Sequence, residues 1–132
     1  MKVLFYSYSI NDPGKKVKKI LDELIPKKKL EIHQSVESLS QRLKKKTIDV
    51  GIVVLLASSK KELWDLLSIR DQLIDHRIIL ILPDREKGTI SQGHSLYPRF
   101  LSYADSDFKD FTAVLVKMLT RLNFTQDKKE RR

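Results

Sequence analysis

Apolar residues along this chain follow two alternating rhythms. Short unbroken runs at residues 3–6, 52–56 and 78–82 are separated by stretches in which apolar side chains recur every three or four positions. The runs suit strands buried on both faces of a parallel sheet, and the longer period suits helices packed against it. A first strand over about residues 2–8 leads to Asn11-Asp12-Pro13, where Asp12 can cap a helix and Pro13 fits its first position. Val17, Ile20, Leu21 and Leu24 then form one stripe, and Pro26 stops it.

The next unit is a short strand, Leu30-Glu31-Ile32-His33, followed by Ser35 as a cap and a smaller stripe of Val36, Leu39 and Leu43. Residues 50–56 are the most apolar run, so they predict the central strand. Ser59 with Glu62 reads as a capping box opening a third helix, with Leu63, Leu66, Leu67 and Ile74 inward. A fourth strand over 77–82 ends at Pro83-Asp84, and a short helix is expected near 89–96. A fifth strand at 100–103 feeds Asp105-Ser106-Asp107, whose oxygens can cap a last helix carrying Phe108, Phe111, Leu115, Met118 and Leu122. The expectation is an α/β fold: a three-layer αβα sandwich of five βα units around a parallel sheet of strand order 2-1-3-4-5.

At 132 residues the chain has room for one domain, expected over 1–124, with a polar basic tail at 125–132 expected to be disordered. No apolar stretch is long enough for a membrane span, and the start, Met1-Lys2-Val3-Leu4-Phe5-Tyr6, lacks a signal-peptide pattern, so a soluble cytoplasmic protein is expected. The absence of cysteine excludes disulfides, thiolate metal sites and thiol nucleophiles. A formal charge of +9 is concentrated in lysine clusters such as Lys15-Lys16, Lys27-Lys28-Lys29 and Lys44-Lys45-Lys46. Such a balance would attract nucleic acid, but few aromatics accompany the lysines, so solvated helix faces account for most of them.

In element order, length and the passage Pro98-Arg99-Phe100-Leu101-Ser102-Tyr103 before the last helix, the chain resembles the receiver domains of two-component response regulators over about residues 1–122. That resemblance implies the flavodoxin-like arrangement of the sheet. It also implies a phosphorylation site: an acidic pair for Mg²⁺, an acceptor aspartate, a hydroxyl and a lysine. Carried over by position, the acidic pair falls on Ser7 and Tyr8, the acceptor on Val54 or Leu55, the hydroxyl on Ile81 or Leu82, and the lysine on Tyr103. None of these side chains can do the receiver's chemistry. Asp12, Asp84 and Asp105 lie near the same edge and read as helix caps.

The resemblance therefore implies a pseudo-receiver: no enzyme, no cofactor, no resident metal, and a protein partner or a second copy as its ligand. His94, Tyr97, Arg99, Phe100 and Tyr103 would supply the face receivers use for docking or dimerisation, and aromatics with Arg fit interface composition. The basic first-helix surface is the other candidate. Trp64 reads as core-edge packing. The chain also resembles TIR domains in Phe5-Tyr6-Ser7-Tyr8-Ser9 with Asp12 and in Ser58-Ser59 followed by Glu62-Leu63-Trp64, which would imply NAD cleavage with Glu62 as the nearest catalytic candidate. A flavodoxin-like phosphate loop from Ser7, Ser9, Asn11 and Gly14, and a nucleic-acid accessory role, complete the alternatives.

Overall fold

The computed structural model describes residues 1–8, 12–45 and 47–122. The apolar runs become strands β1 (Lys2–Ser7), β2 (Leu30–His33), β3 (Val50–Leu56), β4 (Ile78–Leu82) and β5 (Phe100–Tyr103). They form one parallel sheet in the order β2-β1-β3-β4-β5. Between them lie α1 (Asp12–Leu24), a 3-10 turn at Lys27–Lys29, α2 (Val36–Lys44), α3 (Lys60–Leu67), α4 (Arg70–Leu73), α5 (Lys87–His94) and α6 (Lys109–Arg121). This is the flavodoxin-like α/β arrangement. Among the described residues, no helix is long and apolar enough to cross a membrane.

Strand alternation divides the core in two. Val3, Phe5, Ile52, Val54, Leu56, Ile79 and Ile81 face α1 and α6, against Val17, Leu21, Phe111 and Leu115. Leu4, Tyr6, Val53, Leu55, Ile78, Leu80 and Leu82 face the other helices, against Leu39, Leu63, Leu66 and Leu73. Every residue of β3 and β4 is buried, as strands covered on both faces must be. At roughly 1.5–3 kcal/mol for each fully buried aliphatic or aromatic side chain, these two layers dominate the folding energy.

Several elements differ from their sequence expectation for local reasons. The first strand stops at Ser7 rather than residue 8, and Asp12 lies in the first turn of α1 rather than outside it as its cap. The third helix is not continuous. The Ser68 hydroxyl donates to the Asp65 carbonyl, α3 ends, and α4 resumes two residues later with Leu73 fully buried where Ile74 was expected. The fourth-unit helix runs over Lys87–His94, earlier than the expected 89–96, although Leu96 is still buried.

Phe108 precedes α6 instead of belonging to it. The Ser106 hydroxyl accepts its N–H at 3.1 Å, Asp107 accepts that of Lys109 at 3.0 Å, and Phe108 sits in a left-handed conformation with φ 63°. That turn swings its ring into the core, edge-on to Phe111 at 6.1 Å. Leu119 then joins Phe111 and Leu115 in the buried stripe, while Met118 and Leu122 are only partly covered. The expected tail at 125–132, and the expected domain limit at 124, lie outside the described residues.

Candidate functional site

In an open parallel sheet, side chains at the carboxyl ends of the strands border the crevice where ligands usually sit. Strand register here lines up Ser7, Leu56, Ile81 and Ser102 as neighbours across β1, β3, β4 and β5. All four are buried, and the Ser102 hydroxyl lies 3.4 Å from that of Ser106. The edge row is hydroxyl, hydrocarbon, hydrocarbon, hydroxyl.

This register corrects one expectation. Val54 and Leu55 pair with Phe5 and Tyr6, because β3 continues to Leu56 and the Ala57 N–H still bonds the Ile81 carbonyl. Neither reaches the edge, and each is packed under helices on its own face of the sheet. Leu56 occupies the position beside Ser7. Tyr8 extends beyond β1 and is 63% exposed, whereas Leu82 is buried toward α5. Tyr103 is covered by the Arg85 guanidinium, 4.1 Å from its ring centre, and Arg85 is itself paired with Asp105 at 3.0 Å.

Of the acidic groups at this edge, Asp84 and Glu62 hold turns and Asp105 pairs with Arg85; neither Asp84 nor Asp105 is the helix cap expected of it, since Glu86 and Phe108 stand at the cap positions of α5 and α6. Asp84 accepts the Glu86 N–H at 3.0 Å, and this bond, with one from the Thr89 hydroxyl, holds its carboxyl below the usual carboxylate range. Ser59 accepts the Glu62 N–H at 3.2 Å, while the Glu62 carboxylate reaches past Ser59 to the Ser58 N–H at 3.0 Å. The helix start is thus capped from both sides, one residue displaced from the expected box. Among the described residues, no group of three or more His, Asp or Glu side chains is placed to hold a metal ion.

A cavity of about 370 Å³ opens between β1 and the starts of α2 and α3, bordered by Tyr6, Tyr8, Ser35, Ser59, Glu62 and Asp65. Burial pushes the Tyr6 phenol up to about 12, and the carboxylates of Glu62 and Asp65 add to the shift. A neutral phenol beside two carboxylates can donate a hydrogen bond but is a poor nucleophile at neutral pH. Of the expected phosphate loop, Ser7 and Gly14 are buried, and Ser9 and Asn11 lie outside the described residues.

The five residues expected to form one docking face are dispersed. Phe100 packs into the α1–α6 core, and Arg99 lies at the amino edge of the sheet beside Arg77. Tyr103 is at the opposite edge, and His94 is exposed at the end of α5. Tyr97 stands out alone, 66% exposed with φ 52° and Pro98 behind it. Its neighbour in space is Arg70, whose guanidinium lies 5.6 Å from the Tyr97 ring centre and whose Nε donates to the Ser95 carbonyl at 2.7 Å.

Arg70 and Ser95 also border a groove of about 380 Å³ with Trp64, Leu67 and Ser68. Trp64, one position off the inward stripe of its helix, is 64% exposed and does not have the core-edge packing expected of it. Trp64, Arg70 and Tyr97 therefore form the aromatic surface that the sequence placed elsewhere. The break at Ser68, after which Arg70 opens α4, is a packing event that residue spacing does not carry; Tyr97 before Pro98 is the visible signal.

Neither the known protein-family models nor the curated protein sequences give a match to this chain.

Proposed function

We propose that this protein is a non-catalytic, receiver-like interaction module of the cytoplasm that binds a protein partner and is not regulated by aspartyl phosphorylation. The observation that carries the reading is the edge row Ser7–Leu56–Ile81–Ser102. A carboxylate is needed to accept a phosphoryl group as an acyl phosphate, and oxygen anions to hold Mg²⁺ against it. The position beside Ser7 is a buried leucine. The docking surface is the Trp64–Arg70–Tyr97 face, where two exposed aromatics flank a guanidinium already fixed by a backbone carbonyl. Aromatics and Arg held in a rigid frame are the residue types that dominate interface energetics.

Incubation with acetyl phosphate or beryllofluoride and Mg²⁺ tests the first half. No covalent labelling and no saturable chemical-shift change near Ser7 and Leu56 are expected; either one overturns the reading. A second reading is favoured by the Glu62–Asp65–Tyr6 cavity: a TIR-like domain that cleaves NAD. NAD consumption that disappears in Glu62→Gln would establish it in place of the first.

A further inference from the structure

The lysine clusters draw attention in the sequence, yet one convergence of four cations in the fold is built from residues isolated in the chain. Arg77 just before β4, Arg99 just before β5, and Lys117 and Arg121 on α6 border one cavity of about 390 Å³ at the amino edge of the sheet. The parallel order places β4 beside β5, and α6, running antiparallel to both, brings its last two turns to the same edge. All four side chains are exposed, and none has an ion-pair partner among the described residues. The floor between them is apolar: Val114, Met118 and Leu122.

Part of this charge has an ordinary explanation. The carboxyl end of α6 carries a partial charge of about −0.5, which favours Lys117 and Arg121 nearby and opposes an anion. It does not account for Arg77 and Arg99, which precede different strands. Four full positive charges outweigh the partial one. Guanidinium forks match phosphate oxygens two at a time, and a cavity of this size lies in the range of small-ligand sites, roughly 300–1,000 Å³.

We propose that the amino-edge cavity binds a small organic anion carrying a short chain of phosphates, with the phosphates held by Arg77, Arg99, Lys117 and Arg121 and the organic part seated on Val114, Met118 and Leu122. This site lies at the opposite edge of the sheet from the receiver-like crevice and does not depend on the function proposed above.

Calorimetric titration of the full chain with ATP and with pyrophosphate, at about 0.15 M salt and without divalent cation, tests it, because screening at that salt suppresses long-range attraction to scattered lysines. Saturable binding of ATP is expected, tighter than that of pyrophosphate, with amide shifts centred on residues 77, 99 and 114–121. Arg77→Gln and Arg99→Gln should each weaken it about tenfold or more, the loss of one charge-assisted bidentate contact. Lys18→Gln and Lys61→Gln, remote from the cavity, should leave it unchanged, and thermal melts of all four variants verify that they fold. Four results overturn the proposal: no saturation; pyrophosphate binding as tightly as ATP; equal losses in the remote lysine variants; or a single-stranded oligonucleotide binding more tightly than ATP with shifts spread over α1. The last would make the surface a nucleic-acid one.

Discussion

Arg70 and Tyr97, from α4 and from the turn after α5, meet as a cation over an aromatic face at 5.6 Å. The contact holds an exposed ring in one orientation although its backbone is unfavourable. Tyr97 has φ 52°, a region that costs a residue with a Cβ roughly 1–2 kcal/mol, and the following Pro98 disfavours helical conformations at this position further.

Tyr97→Gly and Tyr97→Ala both delete the ring and its contact with Arg70, but only glycine escapes the strain. Tyr97→Gly should therefore be the more stable of the two by about 1 kcal/mol, the reverse of the order at most exposed positions. Urea denaturation of the two variants measures the difference. An alanine variant as stable as the glycine one would show that the turn does not hold φ positive in solution.

Helix α5 contains two glycines with opposite surroundings. A Cβ at Gly88 would meet nothing within 4 Å, whereas one at Gly93 would lie 3.1 Å from Leu82 Cδ2 and 3.2 Å from Leu80 Cδ2, both on fully buried side chains. Gly88→Ala should raise stability by about 0.5 kcal/mol through helix propensity. Gly93→Val should lower it by roughly 1–3 kcal/mol, because β4 is packed from both faces and the leucines have little room to yield. Thermal melts of the pair give the two signs.

The sheet was legible because its determinants are local: an apolar run makes a buried strand, and Ser35 and Ser59 each capture the amide three residues on, as their positions announced. Determinants that need a partner were not legible. Phe108 looked like one more member of the last helical stripe, and its left-handed turn exists only because Ser106 and Asp107 take the amides around it while the core takes its ring. A receiver's acceptor was expected at Val54 or Leu55, but β3 runs on to Leu56, an end set by pairing with β1 and β4 rather than by its own sequence. Arg77, Arg99 and Arg121 are single cations far apart in the chain, brought together only by strand order and the return course of α6.

One polar network fixes the edge strand. Arg42 on α2 donates from Nε to Glu31 on β2 at 2.8 Å and from a terminal nitrogen to Asp49 at 3.2 Å, and Lys2 on β1 meets Glu31 at 3.1 Å. Burial works against ionisation of both carboxyls, but the bonds from Arg42, with help from Lys2, outweigh it and hold Glu31 below its ordinary 4.5 and Asp49 below 3.8. Folded carboxyls with depressed pKa values stabilise above their unfolded values and lose that contribution as the pH falls through the folded ones. Arg42→Met should cost about 1 kcal/mol at neutral pH, allowing for solvent screening of groups that are not fully buried. The difference between wild type and variant should shrink as the pH drops below 4.5, and a gap unchanged down to strongly acid pH would assign the loss to packing of the arginine stem instead.

His76, between α4 and β4, responds at a higher pH. Burial lowers its pKa from 6.5, and the neighbouring Asp75 carboxylate offsets this only in part. The unfolded chain therefore takes up a proton at this site before the folded one does, so stability is complete above pH 6.5 and declines as the pH falls below it. The pKa of Glu31 in the acidic network lies below 4.5, so an interval from pH 7.5 to 5.0 keeps largely clear of it, and comparison with a variant lacking the His76 ring isolates His76 from the other histidines. Urea midpoints at those two values should fall further for the wild type than for His76→Gln. Equal declines would mean that the His76 ring is as well hydrated in the folded protein as in the unfolded chain, contrary to its partly buried position beside β4.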